Sequence, residues 1–125
     1  MNTFKLLIVL ILITSNTAAF AYGGSSSGQK ACNKPTFSQF TPPHLSEVSP
    51  NSSFTFLASA STVPSSIKVV VKKIPVDVIT KKDSNGYTVS GTLAPSLKDT
   101  YARINIQAIG ANRCPGSDGW LLKVN

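Results

Sequence analysis

One histidine, one methionine and two cysteines are all that this 125-residue chain holds of imidazole and sulfur. The methionine is Met1, so none is left once the first residues are removed, and a soft-metal site has no methionine group to draw on. His44 stands alone in Pro42-Pro43-His44-Leu45, a turn, and reads as an exposed turn histidine rather than a ligand or a base. Acids are scarce as well: Glu47, Asp77, Asp83, Asp99 and Asp118 are the full set, scattered over polar or turn positions. Their spacing sets no two carboxylates against each other for glycoside hydrolysis. No serine stands in a Gly-x-Ser-x-Gly elbow. These gaps exclude the common catalytic and metal-dependent classes, so the expectation is a protein that is not an enzyme, with no cofactor and no metal. Long apolar runs are missing too. The longest, Leu6 to Ile13, is far below the ~20 residues of a membrane-spanning helix.

That single run has a different use. Lys5 precedes it and Ala19-Phe20-Ala21 follows it, the order of a secretory signal peptide over residues 1–21. The mature chain is then expected to start at Tyr22, exported to a bacterial periplasm or the cell exterior, with no transmembrane segment. Of the 12 basic residues only Lys5 falls in the leader, so 11 face 5 acids in the remainder. Such an excess keeps a small domain soluble and favours anionic partners. Nucleic acid is not expected as one of them, given the compartment. Cys32 and Cys114 both belong to the mature chain, and an even count in an exported protein points to one disulfide between them.

Residues 22–31 open with Tyr-Gly-Gly-Ser-Ser-Ser-Gly-Gln and read as a Gly/Ser tether with nothing to bury. From residue 32 to 125 short apolar runs alternate with turn signals such as Ser49-Pro50-Asn51, Asp83-Ser84-Asn85-Gly86 and Pro115-Gly116-Ser117-Asp118-Gly119. No helical periodicity intervenes, which is the all-β pattern. Period-two alternation assigns faces: Phe54, Phe56 and Ala58; Ile67, Val69 and Val71; Tyr87, Val89, Gly91 and Leu93; Ala102, Ile104, Ile106 and Ala108. A further strand is expected at Val76, Val78 and Thr80 after Pro75, one at Thr36 to Phe40, and a last one at Trp120 to Val124. Asn85-Gly86 suits a tight hairpin turn. About seven short antiparallel strands in about 93 residues predict a single small two-layer β-sandwich with one disulfide.

The order Pro50-x-x-Ser53-Phe54-Thr55-Phe56, then Ile67-Lys68-Val69-Val70-Val71, then Gly86-Tyr87-Thr88-Val89, then Arg103-Ile104-Asn105-Ile106-Gln107-Ala108 resembles the bacterial immunoglobulin-like domains over residues 42–124. The resemblance is one of strand pattern. It implies an Ig-like sandwich and carries no site residues with it.

Two groups of residues are candidates for contact. Lys68, Lys72 and Lys73 flank the valine run and Lys81 and Lys82 close the next strand. Should these segments neighbour each other, they form an anion-binding face, to which Tyr87 and Tyr101 add stacking surface for a sugar ring. The competing role of the same lysines is to block edge-to-edge aggregation. The second group is a disulfide-held contact loop with Arg113, Asp118 and Trp120, against which stands the reading of Trp120 as a plug at one end of the core. The function expected is an exported, non-catalytic binding or accessory module that contacts another cell-envelope protein. The alternative is a charge-driven binder of an anionic envelope polymer such as peptidoglycan, lipopolysaccharide or another acidic polysaccharide.

Overall fold

The computed structural model describes residues 32–125; the expected leader at 1–21 and the expected tether at 22–31 lie outside the described residues. The described chain runs β1 (Phe37–Thr41), β2 (Glu47–Val48), β3 (Ser53–Ala58), β4 (Lys68–Val71), β5 (Ile74–Val76), β6 (Ile79–Asp83), β7 (Gly86–Thr92), β8 (Thr100–Gly110) and β9 (Cys114–Val124). One sheet has the order β1-β3-β7-β6 and the other β2-β9-β8-β4-β5. All pairings are antiparallel except β2 with β9. The result is a two-layer β-sandwich, as the alternation predicts.

The inward faces are the ones the period-two pattern assigns. Phe54, Phe56 and Ala58 of β3 and Val89 of β7 meet Val69 and Val71 of β4, Ala102, Ile104, Ile106 and Ala108 of β8, and Leu122 and Val124 of β9. Each large apolar side chain buried this way contributes roughly 1.5–3 kcal/mol. The β6–β7 hairpin turns at Ser84-Asn85, one residue ahead of the Asn85-Gly86 signal, and Gly86, at φ 141°, opens β7 opposite Asp83.

Three further features depart from the sequence reading. The lysine–valine segment does not run on past Pro75: a two-residue turn at Lys72-Lys73 folds β5 back on β4, pairing Val71 with Ile74. Both lysines adopt positive φ, 47° and 68°, which is the backbone of a type I′ hairpin turn built without Asn or Gly. Asp77 and Val78 then carry the chain across to the other sheet, so the expected single strand through Val76, Val78 and Thr80 is split between β5 and β6. Finally, β9 begins at Cys114 rather than Trp120. Its Pro-Gly-Ser-Asp-Gly stretch reads as a turn, but β8 pairs with it residue for residue from Gly110↔Cys114 to Thr100↔Val124. β2 covers only Lys123 and Val124 on the other side, so the proline-bearing stretch lies on a sheet edge, where a missing N–H costs no ladder bond.

The disulfide joins Cys32 to Cys114 with the Cα atoms 5.3 Å apart. It lays Asn33–Pro35 across the tip of the β8–β9 hairpin. A Cβ on Gly116 would stand 2.8 Å from the Pro35 ring, and one on Gly110 would run into the Asn33 carbonyl. The two glycines are the reason this strap seats so closely.

Candidate functional site

Trp120 settles one of the two candidate groups. It is 2% exposed and packs against Phe40 (ring centroids 4.7 Å apart), Phe54 (5.9 Å) and Phe56 (6.1 Å). Its Nε1–H donates to the Pro42 carbonyl at 2.8 Å. The residue is therefore a core member bridging the two sheets. The contact-loop reading needs correction on this point: Asp118 and Trp120 belong to β9, and only Arg113 lies in the β8–β9 turn. Register explains it, since an inward position two steps before Leu122 cannot present its side chain to solvent.

The lysines are not brought together. Lys68 stands opposite Gln107 on the five-stranded sheet, whereas Lys81 and Lys82 stand opposite Thr88 and Tyr87 on the four-stranded sheet. Lys72 donates to the Thr100 hydroxyl at 3.1 Å, at the end of the sandwich where β8 begins. Lys82 lies at the opposite end, because its partner Tyr87 pairs in turn with Ala58, the last residue of β3. Tyr87 and Tyr101 are likewise separated. Tyr87 packs against the core from one sheet, and Tyr101, 55% exposed, lies on the outside of the other.

His44 is spoken for. Its Nδ1 accepts the Leu121 backbone N–H at 3.2 Å, so that nitrogen is not offered to a carboxylate in a triad. Asp83 closes β6 at the β6–β7 hairpin. The Thr88 hydroxyl (2.7 Å) and the Asn85 amide (2.7 Å) donate to it and hold its carboxyl below the ordinary aspartate range. This is turn chemistry at the β6–β7 hairpin and involves no second acid.

The outer face of the five-stranded sheet is different. Outward positions of β8 are Tyr101, Arg103, Asn105, Gln107 and Ile109, and they stand opposite Lys123, Leu121, Gly119, Ser117 and Pro115 of β9. Two adjoining hollows lie on this face, one of about 350 Å³ against Arg103, Asn105, Gln107, Ser117 and Asp118. The other, about 280 Å³, lies against Lys68, Val70, Asn105 and Gln107. They share Asn105 and Gln107 and so form one trough across β4, β8 and β9. Gly119 makes room for it: a Cβ there would come within 3.1 Å of Arg103 Nη2. Arg103 Nε donates to Asn105 Oδ1 at 3.0 Å, and Asp118 Oδ1 accepts the Gly119 N–H at 2.7 Å. Among the described residues the Lys68 ammonium, the Gln107 amide and the Ser117 hydroxyl have no partner within the domain. The geometry suits hydrogen bonding to a polar, electron-rich ligand.

Two residues of the candidate groups, Lys68 and Asp118, thus line this trough. Arg103, Asn105 and Gln107 were visible in the sequence only as the polar side of an amphipathic strand. The signal lay in their kind: Tyr-x-Arg-x-Asn-x-Gln is a run of planar hydrogen-bonding groups, unlike the Thr-x-Ser-x-Thr of β7.

No known protein family and no curated protein sequence matches this chain. Solved structures do. CopC from Methylosinus trichosporium OB3b superposes with a TM-score of 0.55 at 9% identity, over 73% of this chain and 93% of that one. PcoC, a methionine-rich copper resistance protein from Escherichia coli, superposes with a TM-score of 0.53 at 14% identity, over 74% of this chain and all of that one. At such identities the likeness is one of fold. Copper does not fit the side chains present here: both cysteines are bridged, the only methionine is Met1, and His44 has Nδ1 engaged. Among the described residues no three of His, Cys, Asp and Glu gather around a common point.

Proposed function

We propose that this protein is an exported, non-catalytic binding module of the bacterial envelope, which meets its partner through the outer face of the five-stranded sheet. One observation carries the reading. The trough over β4, β8 and β9 gathers Lys68, Arg103, Asn105, Gln107 and Ser117 on a rigid sheet, with most of their hydrogen-bonding capacity unspent. A face held by the ladder and core beneath it loses little entropy on binding. Export is supported by the Cys32–Cys114 disulfide together with the leader pattern at residues 1–21. The copper chemistry named for PcoC is not carried over, because its ligand types are missing from this chain. With Trp120 in the core, a sheet face replaces a loop end as the point of contact.

The test is an in-cell crosslinking pull-down of the tagged protein, washed at low and then at high salt. The expected result is a single class of envelope partner that is lost from an Asn105→Ala/Gln107→Ala variant. Recovery of the same material from wild type and variant would refute the face as the site.

A further inference from the structure

Resting on that reading of the face, we infer that the trough takes a segment of acidic polysaccharide, a sugar chain bearing carboxylates among its hydroxyls. The arrangement separates into two parts that match the two kinds of group on such a chain. Arg103 is a guanidinium fork held in place through Nε by Asn105 Oδ1 at 3.0 Å, which leaves its Nη donors for a carboxylate. Lys68 adds a second cation at the other end of the trough, next to Gln107. Between them stand amides and hydroxyls, the groups that pair with sugar hydroxyls: the Asn105 and Gln107 side chains and Ser117.

Tyr101 completes the face. It is 55% exposed, outward, and two residues before Arg103 on the same strand, about 7 Å along it, a reach suited to the face of a neighbouring sugar ring. Gly119 keeps the floor low enough for Arg103 to lie across it. A phosphate-rich ligand is a poorer match, since the trough holds a single arginine and no nest of backbone amides.

The experiment is calorimetric titration of the purified protein with polygalacturonate, with neutral dextran and with dextran sulfate, at low and at moderate salt. Polygalacturonate is expected to bind, with dextran weaker by at least about tenfold. Asn105→Ala/Gln107→Ala, a change without charge, is expected to weaken polygalacturonate binding about tenfold. Arg103→Lys, which keeps the charge and loses the fork, is expected to weaken it several-fold. Lys81→Ala/Lys82→Ala, on the other sheet, should leave it within about twofold, and unchanged thermal midpoints will show that all variants are folded. Dextran sulfate binding that is tighter and indifferent to the amide variant would overturn the inference in favour of diffuse charge attraction. Absence of polygalacturonate binding would overturn the ligand class, while a face-dependent partner in the pull-down would leave the binding face standing. Polygalacturonate binding that ignores every face variant would overturn both.

Discussion

Replacing both bridging cysteines with alanine removes a crosslink that closes nearly the whole domain. Cys32 and Cys114 are 82 residues apart in sequence, and the loop between them contains β1 through β8. In the chain-entropy treatment a loop of that length restricts the unfolded chain by about 4.5 kcal/mol at room temperature. Little is lost in the folded state, because the ladder from Gly110↔Cys114 onward and the burial of Pro35 persist without the bond. For a domain of this size, 1 kcal/mol moves the thermal midpoint by roughly 4–8 °C, so Cys32→Ala/Cys114→Ala is expected to melt at least about 20 °C lower. Urea unfolding followed by Trp120 fluorescence gives the same comparison at constant temperature. The urea slope should also rise, as the uncrosslinked unfolded chain exposes more surface. A midpoint within about 5 °C of wild type would refute the reasoning, since the unfolded chain would then gain little from release of the crosslink.

Trp120→Phe removes the donor to the Pro42 carbonyl and is expected to cost about 1–3 kcal/mol in urea unfolding, against about 3–5 kcal/mol for Trp120→Ala; a cost near zero for Trp120→Phe would show that the hydrogen bond adds nothing. Lys72→Asn/Lys73→Gly places turn chemistry where two lysines now hold positive φ and should raise stability by about 1 kcal/mol, measured the same way. The Asp83 carboxyl, held below its ordinary range by Thr88 and Asn85, contributes stability that is complete above the unfolded-state value and disappears as pH falls through the lowered one. Thr88→Val should therefore move the Asp83 titration midpoint upward in a carboxyl-detected NMR series, and an unmoved midpoint would show that the hydroxyl is not its main cause.

The core was legible in the sequence because alternation is a direct image of a half-buried strand. Ala102, Ile104, Ile106 and Ala108 were assigned inward on periodicity alone, and all four are buried. The β4–β5 hairpin was not legible, because Lys72 and Lys73 carry none of the residue types that mark a type I′ turn. Conversely, Pro115 to Gly119 carries every mark of a turn and is strand, since its edge position on β9 tolerates both proline and glycine. Local chemistry was misleading wherever sheet position decided the outcome. The lysine face failed to assemble for the same reason: β5 and β6 are consecutive in sequence but belong to different sheets. The trough went unseen because it depends on which strands become neighbours. Lys68, Asn105 and Ser117 meet only through the β4-β8-β9 order, which no local pattern encodes.

The central claim is that one face of the sandwich, and not the other, meets the partner. A photo-crosslinking amino acid at Val70, which lines the trough on the outside of the five-stranded sheet, and in a second strain at Thr88, outside the four-stranded sheet, compares the two faces directly in cells. The expected result is a crosslinked product from Val70 and none from Thr88. A product from Thr88 alone, or from neither position, would contradict the account.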